Sequence, residues 1–188
     1  MKKFYISDSQ LVTTDMLSGN GINLLDGTER FDGFNIINKN GMIEENAELS
    51  KNIIHLWQQN GNLYSGINKD NIQITLPRGT YTFSFLGKTN SPDGSAPLSL
   101  FLNSEDKPLG STTLSSKTFK IYSISFYLNQ SQSITGLTLK NTQAYKFPSG
   151  SLYLCDFKLE AGYGATPWCK SINDIVSQIQ SGGSKTPL

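Results

Sequence analysis

The sequence predicts an all-β protein, because short apolar runs alternate with turns rich in Gly, Asn, Asp and Pro over most of its 188 residues. Eight Tyr and ten Phe, together with only 16% charged residues, suit short strands joined by polar turns. Within several runs, apolar and polar residues alternate with a period of two, which is typical of strands with one buried face. A β-sandwich or a β-barrel satisfies all three observations.

Eight strands are predicted where the apolar runs stand. Their ranges in chain order are 53–57, 63–64, 72–76, 80–88, 98–102, 118–128, 134–140 and 151–160. In the fourth strand, the alternation places Tyr81, Phe83 and Phe85 toward the core, with Thr82 and Ser84 on the opposite face.

The last predicted strand, "SLYLCDFKLE", is apolar on both faces at its start. A period of two places Tyr153, Cys155, Phe157 and Leu159 on one face. Leu152 and Leu154 lie on the other face. A strand covered on both faces is expected to be central in its sheet.

The C-terminal part changes from strand to helix periodicity. Apolar residues recur there at helical spacing, namely Ile172, Ile175, Val176 and Ile179, which predicts a short amphipathic helix with Ser171 as its N-cap. This helix is expected to dock on the sandwich or on another copy of the chain. The sequence therefore divides into an N-terminal arm (1–20), a sandwich module (21–169) and a short helix with a flexible tail (170–188).

Charge and cysteine content narrow the classes of partner. Lys and Arg number 16 against 15 Asp and Glu, which gives no basic surface for nucleic acid or an acidic membrane. The N-terminus lacks the apolar run of a signal peptide, and no stretch reaches about 18 apolar residues, so synthesis without a secretion signal and no membrane insertion are expected. Two cysteines, Cys155 and Cys169, are too few for a disulfide framework, although a single bridge between them stays an alternative.

Motifs of the common enzyme classes are missing from the sequence. It contains no G-x-S-x-G, no phosphate-binding glycine loop and no dinucleotide fingerprint. His55 is the single histidine and stands in a strand, where a structural role is the commoner one, so a His-rich zinc site is excluded. A glycosidase needs only two carboxylates and stays a minor alternative. The sequence therefore predicts a protein that is not an enzyme.

The run "KLEAGYGATPW" carries the most specific pattern in the chain. Its pattern residues are Lys158, Leu159, Glu160, Gly162, Ala165, Thr166, Pro167 and Trp168. This pattern resembles the closing signature of a β-sandwich module of phage tail and baseplate proteins. The Asn-Leu-Leu turn at 23–25, Gly27 with Thr28, and the strand at 79–85 resemble the opening part of the same module.

This module is similar to the jelly-roll carbohydrate-binding modules that accompany cellulases and other polysaccharide-degrading enzymes. The resemblance implies a jelly-roll sandwich of two antiparallel sheets. It also implies a non-catalytic receptor-binding role on the virion, made in the host cytoplasm, with a host cell-surface polysaccharide and other tail or baseplate proteins as partners. In the motif, Gly162 and Gly164 permit positive φ, Pro167 ends sheet pairing and Trp168 is expected to pack back as a cap.

Sugar binding requires exposed aromatic rings that stack on a pyranose, with amides or carboxylates that bond to its hydroxyls. Three clusters combine these groups. The first holds Trp57, Gln59 and Tyr64, the second Tyr127 and Gln130, and the third Tyr145 with Gln143. The alternative for Trp57 is a place in the core.

Asp156 interrupts an apolar strand, and a buried carboxylate needs a partner or a metal ion. In the related enzyme-linked modules, an aspartate of the last strand commonly holds a structural calcium with groups near the N-terminal turn. The resemblance therefore implies calcium at Asp156, Asp26 and Asp32, whose oxygens suit that ion. The favoured alternative is a bond from Asp156 to the backbone or to a surface Lys or Arg. No cofactor is expected to be required.

The sequence is also compatible with two other functions. In one, the same sandwich is a spacer or assembly piece of the tail that binds only protein. In the other, it is a small glycan hydrolase.

Overall fold

The computed structural model describes residues 10–11, 21–57, 66–91, 95–103, 105–141 and 150–182. Its strands are β1 (Gln10–Leu11), β2 (Phe34–Ile36), β3 (Gly41–Asn46), β4 (Lys51–Trp57), β5 (Gly66–Leu76), β6 (Gly79–Thr89), β7 (Ala96–Leu102), β8 (Gly110–Leu114), β9 (Lys120–Leu128), β10 (Gln132–Lys140) and β11 (Ser151–Ala161). A 3-10 turn spans Ile37–Lys39, and the helix α1 spans Ile172–Gly182.

The strands form two facing sheets, which confirms the predicted all-β sandwich with a C-terminal helix. The first sheet has the order β1-β5-β10-β7-β8, with β2 also paired to β5. The second has the order β3-β4-β11-β6-β9. All pairings between these strands are antiparallel except that of the two-residue β1 with β5. The predicted strand at 63–64 lies outside the described residues.

The core lies between the sheets and is rich in aromatic rings. Tyr81, Phe83 and Phe85 are at most 1% exposed, as their alternation predicts. Phe157 is completely buried, and its ring centroid lies 6.1–6.2 Å from those of Phe83 and Phe85. The Phe31 ring meets the Phe157 ring edge to face, with centroids 6.1 Å apart. These contacts fix β11 against β6 and the N-terminal turn.

A β-bulge in β11 places two residues on the face opposite to the predicted one. Between Cys155 and Lys158, β11 advances three residues while its partner β6 advances two. The extra residue, Asp156, has a φ of 54°. Because one residue is inserted, the alternation reverses there, and Tyr153 and Cys155 lie on the outer face while Phe157 faces the core. The strand is central in its sheet, as predicted.

The sequence predicts that β6 has only one buried face. In the structure, the outer face of β6 is covered as well. Thr82 is 0% and Ser84 is 3% exposed. Residues 162–168, called here the closing segment, fold back over this part of the second sheet, and the hydroxyl of Thr82 donates to the carbonyl of Gly162 at 2.8 Å. Gly162 and Gly164 have φ values of 102° and 88°, so the predicted positive φ of both is confirmed.

The closing segment is held by a buried ion pair. Lys158 and Glu160 have side chains only 1% and 2% exposed, with Nζ and Oε2 3.3 Å apart. The Thr166 hydroxyl accepts from Lys158 Nζ and donates to Glu160 Oε2 at 2.6 Å, while its amide donates to Glu160 Oε1 at 2.8 Å. Lys158 also donates to the Pro167 carbonyl at 2.9 Å. The buried charges are therefore satisfied by the segment that buries them.

Asn23 joins the N-terminal turn to the last strand. Its Oδ1 accepts from the amides of Leu25 and Leu159 at 3.1 and 3.2 Å. Its Nδ2 donates to the carbonyls of Phe157 and Cys169, each at 3.1 Å. The side chain is 2% exposed, so these bonds are made away from water. The two parts of the sequence pattern, 23–28 and 158–168, thus form one structural unit.

Trp168 takes part in this unit but is not fully buried. Its Nε1 donates to the Thr28 hydroxyl at 3.3 Å, and that hydroxyl also accepts from Asn23 at 3.2 Å. The ring is half-buried and faces a pocket beside the closing segment. Trp168 therefore caps the sheet from outside and adds less to the core than the sequence predicts.

The helix α1 docks on the N-terminal turn through polar contacts. Ser171 accepts the Asp174 amide at 3.0 Å, which confirms the predicted N-cap. The Asp174 carboxylate in turn accepts the Gly27 amide at 2.9 and 3.1 Å. Ile175 and Ile179, two of the four apolar residues predicted at helical spacing, are 45% and 69% exposed. In the described part of the chain, no helix has the length and apolar character needed to span a bilayer.

Candidate functional site

A row of side chains crosses the outer face of the second sheet. The register pairs Met42 of β3 with His55 of β4, His55 with Tyr153 of β11, and Tyr153 with Lys88 of β6. Neighbouring strands lie about 4.8 Å apart, so the four positions span roughly 14 Å. The row lies on the same face of the sheet as Thr82 and Ser84, beyond the part that the closing segment covers.

Three aromatic rings of this face lie side by side and are called here the aromatic platform. His55 stacks on Tyr153 with ring centroids 4.5 Å apart and an angle of 23° between the planes. Trp57 meets His55 edge to face at 5.3 Å. Trp57, His55 and Tyr153 are each half-buried, and both ring nitrogens of His55 are buried. Trp57 lies on the face of β4 opposite the buried Ile54 and Leu56, and it is half-buried where a core residue would be fully buried.

Charged groups surround the platform. Glu44 Oε1 lies 3.1 Å from His55 Nδ1, although the two atoms lack the geometry of a hydrogen bond. Lys88 Nζ pairs with Glu48 at 2.6 Å and lies 5.4 Å above the Tyr153 ring. Carboxylate and ammonium groups beside stacked rings can bond to hydroxyls of a ligand that lies on the rings.

The predicted neighbours of Trp57 fall outside the described residues. Gln59 and Tyr64 belong to the segment 58–65, which follows β4. Tyr145, the third predicted aromatic, also lies outside the described residues. The part of the platform that the structure describes therefore consists of one predicted residue and two that were not predicted.

The second predicted cluster is separate from the platform. Tyr127 is 47% exposed on β9, the edge strand, whereas Trp57 lies on β4, near the opposite edge of the same sheet. The Tyr127 hydroxyl accepts from Arg78 Nε at 2.8 Å, and this bond raises the pKa of Arg78. Gln130 is exposed in the turn that follows β9. The structure does not bring Tyr127 or Gln130 to Trp57.

Two of the three carboxylates proposed to hold calcium, those of Asp156 and Asp26, have other partners. Asp156 accepts two bonds from Lys51 Nζ at 2.6 and 2.7 Å, which is the alternative of a surface lysine. Asp26 accepts from the Asn173 amide at 2.8 Å. The carbonyl oxygen of Asp32 accepts from Lys69 Nζ at 2.7 Å. Within the described ranges, no three His, Cys, Asp or Glu side chains are grouped so that they could hold a metal ion.

Lys69 supplies a positive charge next to the N-terminal turn. Its side chain is mostly buried, and Nζ lies 4.9 Å over the Phe34 ring. Burial lowers the pKa of Lys69, while the nearby charges of Asp26, Asp174 and Asp32 act in the opposite direction. The ammonium thus balances the carboxylates of this turn.

The two cysteines are free thiols and are predicted to differ in reactivity. Cys155 is 1% exposed, and burial, with the charge of Asp156 as a second cause, raises the pKa of its thiol to about 12. Cys169 is half-buried, and its Sγ donates to the Gly21 carbonyl at 3.3 Å. At pH 8, a thiol reagent should therefore label only Cys169 in the folded protein and both cysteines in urea. Rapid labelling of Cys155 before unfolding would contradict its placement.

His55 and Tyr153 are the platform residues that sequence reasoning missed. His55 was predicted to be a structural strand residue, and Tyr153 was placed on the same face as Phe157. The bulge at Asp156 reverses the faces of β11 and turns Tyr153 outward. One sequence signal of this reversal was available, since a polar Asp interrupts an apolar strand between Cys155 and Phe157.

The sequence matches no known family profile and no curated protein. Solved structures, however, share the fold. One is the xylan-binding CBM22-1 domain of Paenibacillus barcinonensis Xyn10C, with a TM-score of 0.53 and 14% sequence identity. The superposition covers 77% of this chain and 97% of that domain. The N-terminal cellulose-binding domain of Cellulomonas fimi β-1,4-glucanase C has a TM-score of 0.51 at 13% identity, with 73% and 93% covered.

A tandem of two such modules is also similar. The CBM22-1–CBM22-2 tandem of the same Paenibacillus barcinonensis protein has a TM-score of 0.55 at 10% identity, covering 78% of this chain and 51% of the tandem. The chain thus spans about one of its two modules. At these identities the likeness concerns the fold alone, and it confirms the jelly-roll sandwich as the architecture of this chain.

Proposed function

We propose that this protein is a non-catalytic module of a phage tail or baseplate that binds a polysaccharide of the host cell surface. The observation that carries the proposal is the aromatic platform of His55, Tyr153 and Trp57 on the outer face of the second sheet. Aromatic faces attract the apolar C–H side of a sugar ring, and flanking polar groups bond to its hydroxyls. The platform supplies both kinds of group.

The fold and the sequence pattern support the same proposal from different directions. Two solved structures of similar fold are described as xylan-binding and cellulose-binding. The pattern formed by 23–28 and 158–168 resembles modules of phage tails and baseplates. Together they favour a polysaccharide as the ligand and the virion as the location, with synthesis in the host cytoplasm without a signal peptide.

A binding role is favoured over hydrolysis by the partners of the acidic groups near the platform. A glycosidase needs two carboxylates on either side of the scissile bond, one of them protonated. Glu48 is paired with Lys88 at 2.6 Å, so this carboxylate already has a partner. Glu44 lies beside His55 at the edge of the platform. We therefore propose no hydrolytic step.

A spacer or assembly role is the second candidate, and one observation favours it. Ile175 and Ile179 are exposed on the same side of α1, at a spacing of four residues. Exposed apolar side chains at this spacing suit contact with another tail or baseplate protein. Such a contact and sugar binding at the platform involve different faces and are compatible with each other.

The proposed function predicts weak binding by a single copy and firm binding by many. Linked sites increase avidity by about 10² to 10⁴ when their spacing allows simultaneous contact. Fluorescent protein, as a monomer and fused to a multimerising carrier, should be mixed with whole bacterial cells and sedimented. Retention by the multimer with no release of reducing sugar is expected. A multimer that no tested cell surface retains would favour the spacer role, and steady release of reducing sugar would favour the hydrolase.

A further inference from the structure

A small pocket lies beside the closing segment on the outer face of the second sheet. Its volume is about 150 Å³. Its apolar lining comes from Trp168 and Pro167 of the closing segment and from Leu86 of β6 and Ile121 of β9. Pockets for drug-sized ligands occupy roughly 300–1,000 Å³, so this one admits a ligand of about one sugar ring.

The polar side of the pocket is formed by Asp156 and Ser84. Asp156 is the inserted residue of the β11 bulge and has a φ of 54°, a conformation that Asp tolerates better than most residues do. Bulges commonly redirect a side chain toward a functional site. The carboxylate is 20% exposed and pairs with Lys51 Nζ at 2.6 Å. A carboxylate and an ammonium side by side provide an acceptor and a donor for adjacent hydroxyls.

The charge of this polar side favours an uncharged ligand. Because Lys51 neutralises Asp156, a cationic ligand would have to displace an existing partner from the carboxylate. An entirely apolar ligand would cover the Asp156 carboxylate and the Ser84 hydroxyl without bonding to them, which is costly. A neutral ring with hydroxyls on its edge and C–H groups on its face satisfies both walls.

The pocket wall formed by the closing segment is bonded to the rest of the fold through Thr166, Pro167 and Trp168. Trp168 is held at its Nε1 by Thr28, and the Pro167 carbonyl accepts from the buried Lys158. Thr166 is fixed by three bonds to the Lys158 and Glu160 pair. A site whose side chains are already positioned loses less conformational entropy when its ligand binds.

We propose that this pocket binds one sugar residue, either the terminal residue or a side branch of the glycan that lies on the aromatic platform. The proposal rests on the proposed function, which supplies the glycan. Tyr153 of the platform and Asp156 of the pocket belong to the same strand and lie three positions apart. At about 3.3 Å per residue their separation is roughly 10 Å, which one branched or terminating glycan chain can span.

The two tryptophans of the chain permit a direct test. Each gives one indole N–H signal in a ¹H–¹⁵N NMR spectrum, with Trp57 reporting on the platform and Trp168 on the pocket. The probes are glucose, galactose, mannose, rhamnose, N-acetylglucosamine and N-acetylgalactosamine, with choline as a cationic control. We expect at least one of the sugars to shift the Trp168 signal, with a dissociation constant on the order of 1 mM or weaker because the ligand is small.

Three variants test the lining of the pocket: one on its polar side, one control outside it and one on its apolar wall. Asp156→Asn keeps a residue that tolerates positive φ and should weaken sugar binding at Trp168 about tenfold or more. Glu105→Gln removes an exposed carboxylate that accepts from Gln132 at 3.1 Å, outside both the pocket and the platform, and should leave the Trp168 titration unchanged. Ile121→Glu, at a position 60% exposed at the pocket wall, should also weaken binding without affecting the fold.

The outcomes separate this proposal from the proposed function. Sugar-induced shifts of Trp57 alone would overturn the pocket and leave the platform. Shifts of Trp168 alone would support the pocket and count against the platform, and no shift of either signal with any sugar would overturn both. Binding of choline in place of the sugars, or equal sugar binding by Asp156→Asn and the parent, would also overturn the pocket.

Discussion

Replacing Lys158 by methionine should lower the free energy of unfolding by about 3–5 kcal/mol, the cost of leaving one partner of a buried ion pair alone. Lys158 and Glu160 are almost completely buried, and Thr166 bonds to both. The variant leaves the Glu160 carboxylate in the interior without its counter-charge and removes the bond that holds Pro167. A urea unfolding curve of the parent and the variant measures the loss.

Two further variants test whether burial is the cause. Lys170→Met breaks the pair with Glu29, whose side chains are 29% and 44% exposed, and should cost less than about 1 kcal/mol. The double variant Lys158→Met with Glu160→Leu removes both buried charges and should recover part of the loss. If Lys158→Met were no more destabilising than Lys170→Met, the closing segment would not be held by the buried pair.

Replacing Asn23 by alanine should cost about 3 kcal/mol or more, because four backbone groups lose their partner inside the protein. The amides of Leu25 and Leu159 and the carbonyls of Phe157 and Cys169 all bond to this one side chain. The loss should appear in thermal and urea unfolding.

The control for Asn23 is an asparagine on the surface. Asn35 is exposed, and its Nδ2 donates to Asp70 at 3.0 Å. Asn35→Ala should change the free energy of unfolding by no more than about 0.5 kcal/mol, because water replaces the lost bond. An Asn23→Ala variant as stable as Asn35→Ala would contradict the view that the two parts of the sequence pattern form one unit.

The strands of the interior could be predicted from the sequence because their alternation is strong. Tyr81, Phe83 and Phe85 show this best, since each is buried as its period requires. The missed strands β3 and β8 lack such a pattern. Met42 and Ile43 of the edge strand β3 are both about half exposed, although they are adjacent and apolar. An edge strand without a one-sided apolar face gives no periodic signal.

Other errors came from contacts between distant parts of the chain. The burial of Thr82 and Ser84 depends on residues 162–168, about 80 positions away, which periodicity within one strand cannot reveal. The start of β5 was missed because Asp70 and Asn71 have the composition of a turn. Asn71 has a φ of 59° and lies where the register with β10 shifts, so the strand continues through an irregularity.

The candidate site was only partly predictable for the same reason. Trp57 was identified by its residue type and its polar neighbours, which needs no tertiary information. His55 and Tyr153 join it because β4 and β11 are neighbours in the sheet and because the bulge reverses one face. Neither strand order nor the position of the bulge follows from local sequence.

Retention on whole cells by two matched aromatic variants tests the central claim that glycans bind at the aromatic platform. The parent, Trp57→Ala and Tyr127→Ala should be compared as multimers on a bacterial strain that retains the parent, after circular dichroism has established that each is folded. Both residues lie on the outer face of the second sheet, but only Trp57 contacts His55. We predict that Trp57→Ala abolishes retention and that Tyr127→Ala leaves it unchanged. Full retention of Trp57→Ala, or loss of retention by Tyr127→Ala alone, would contradict the account.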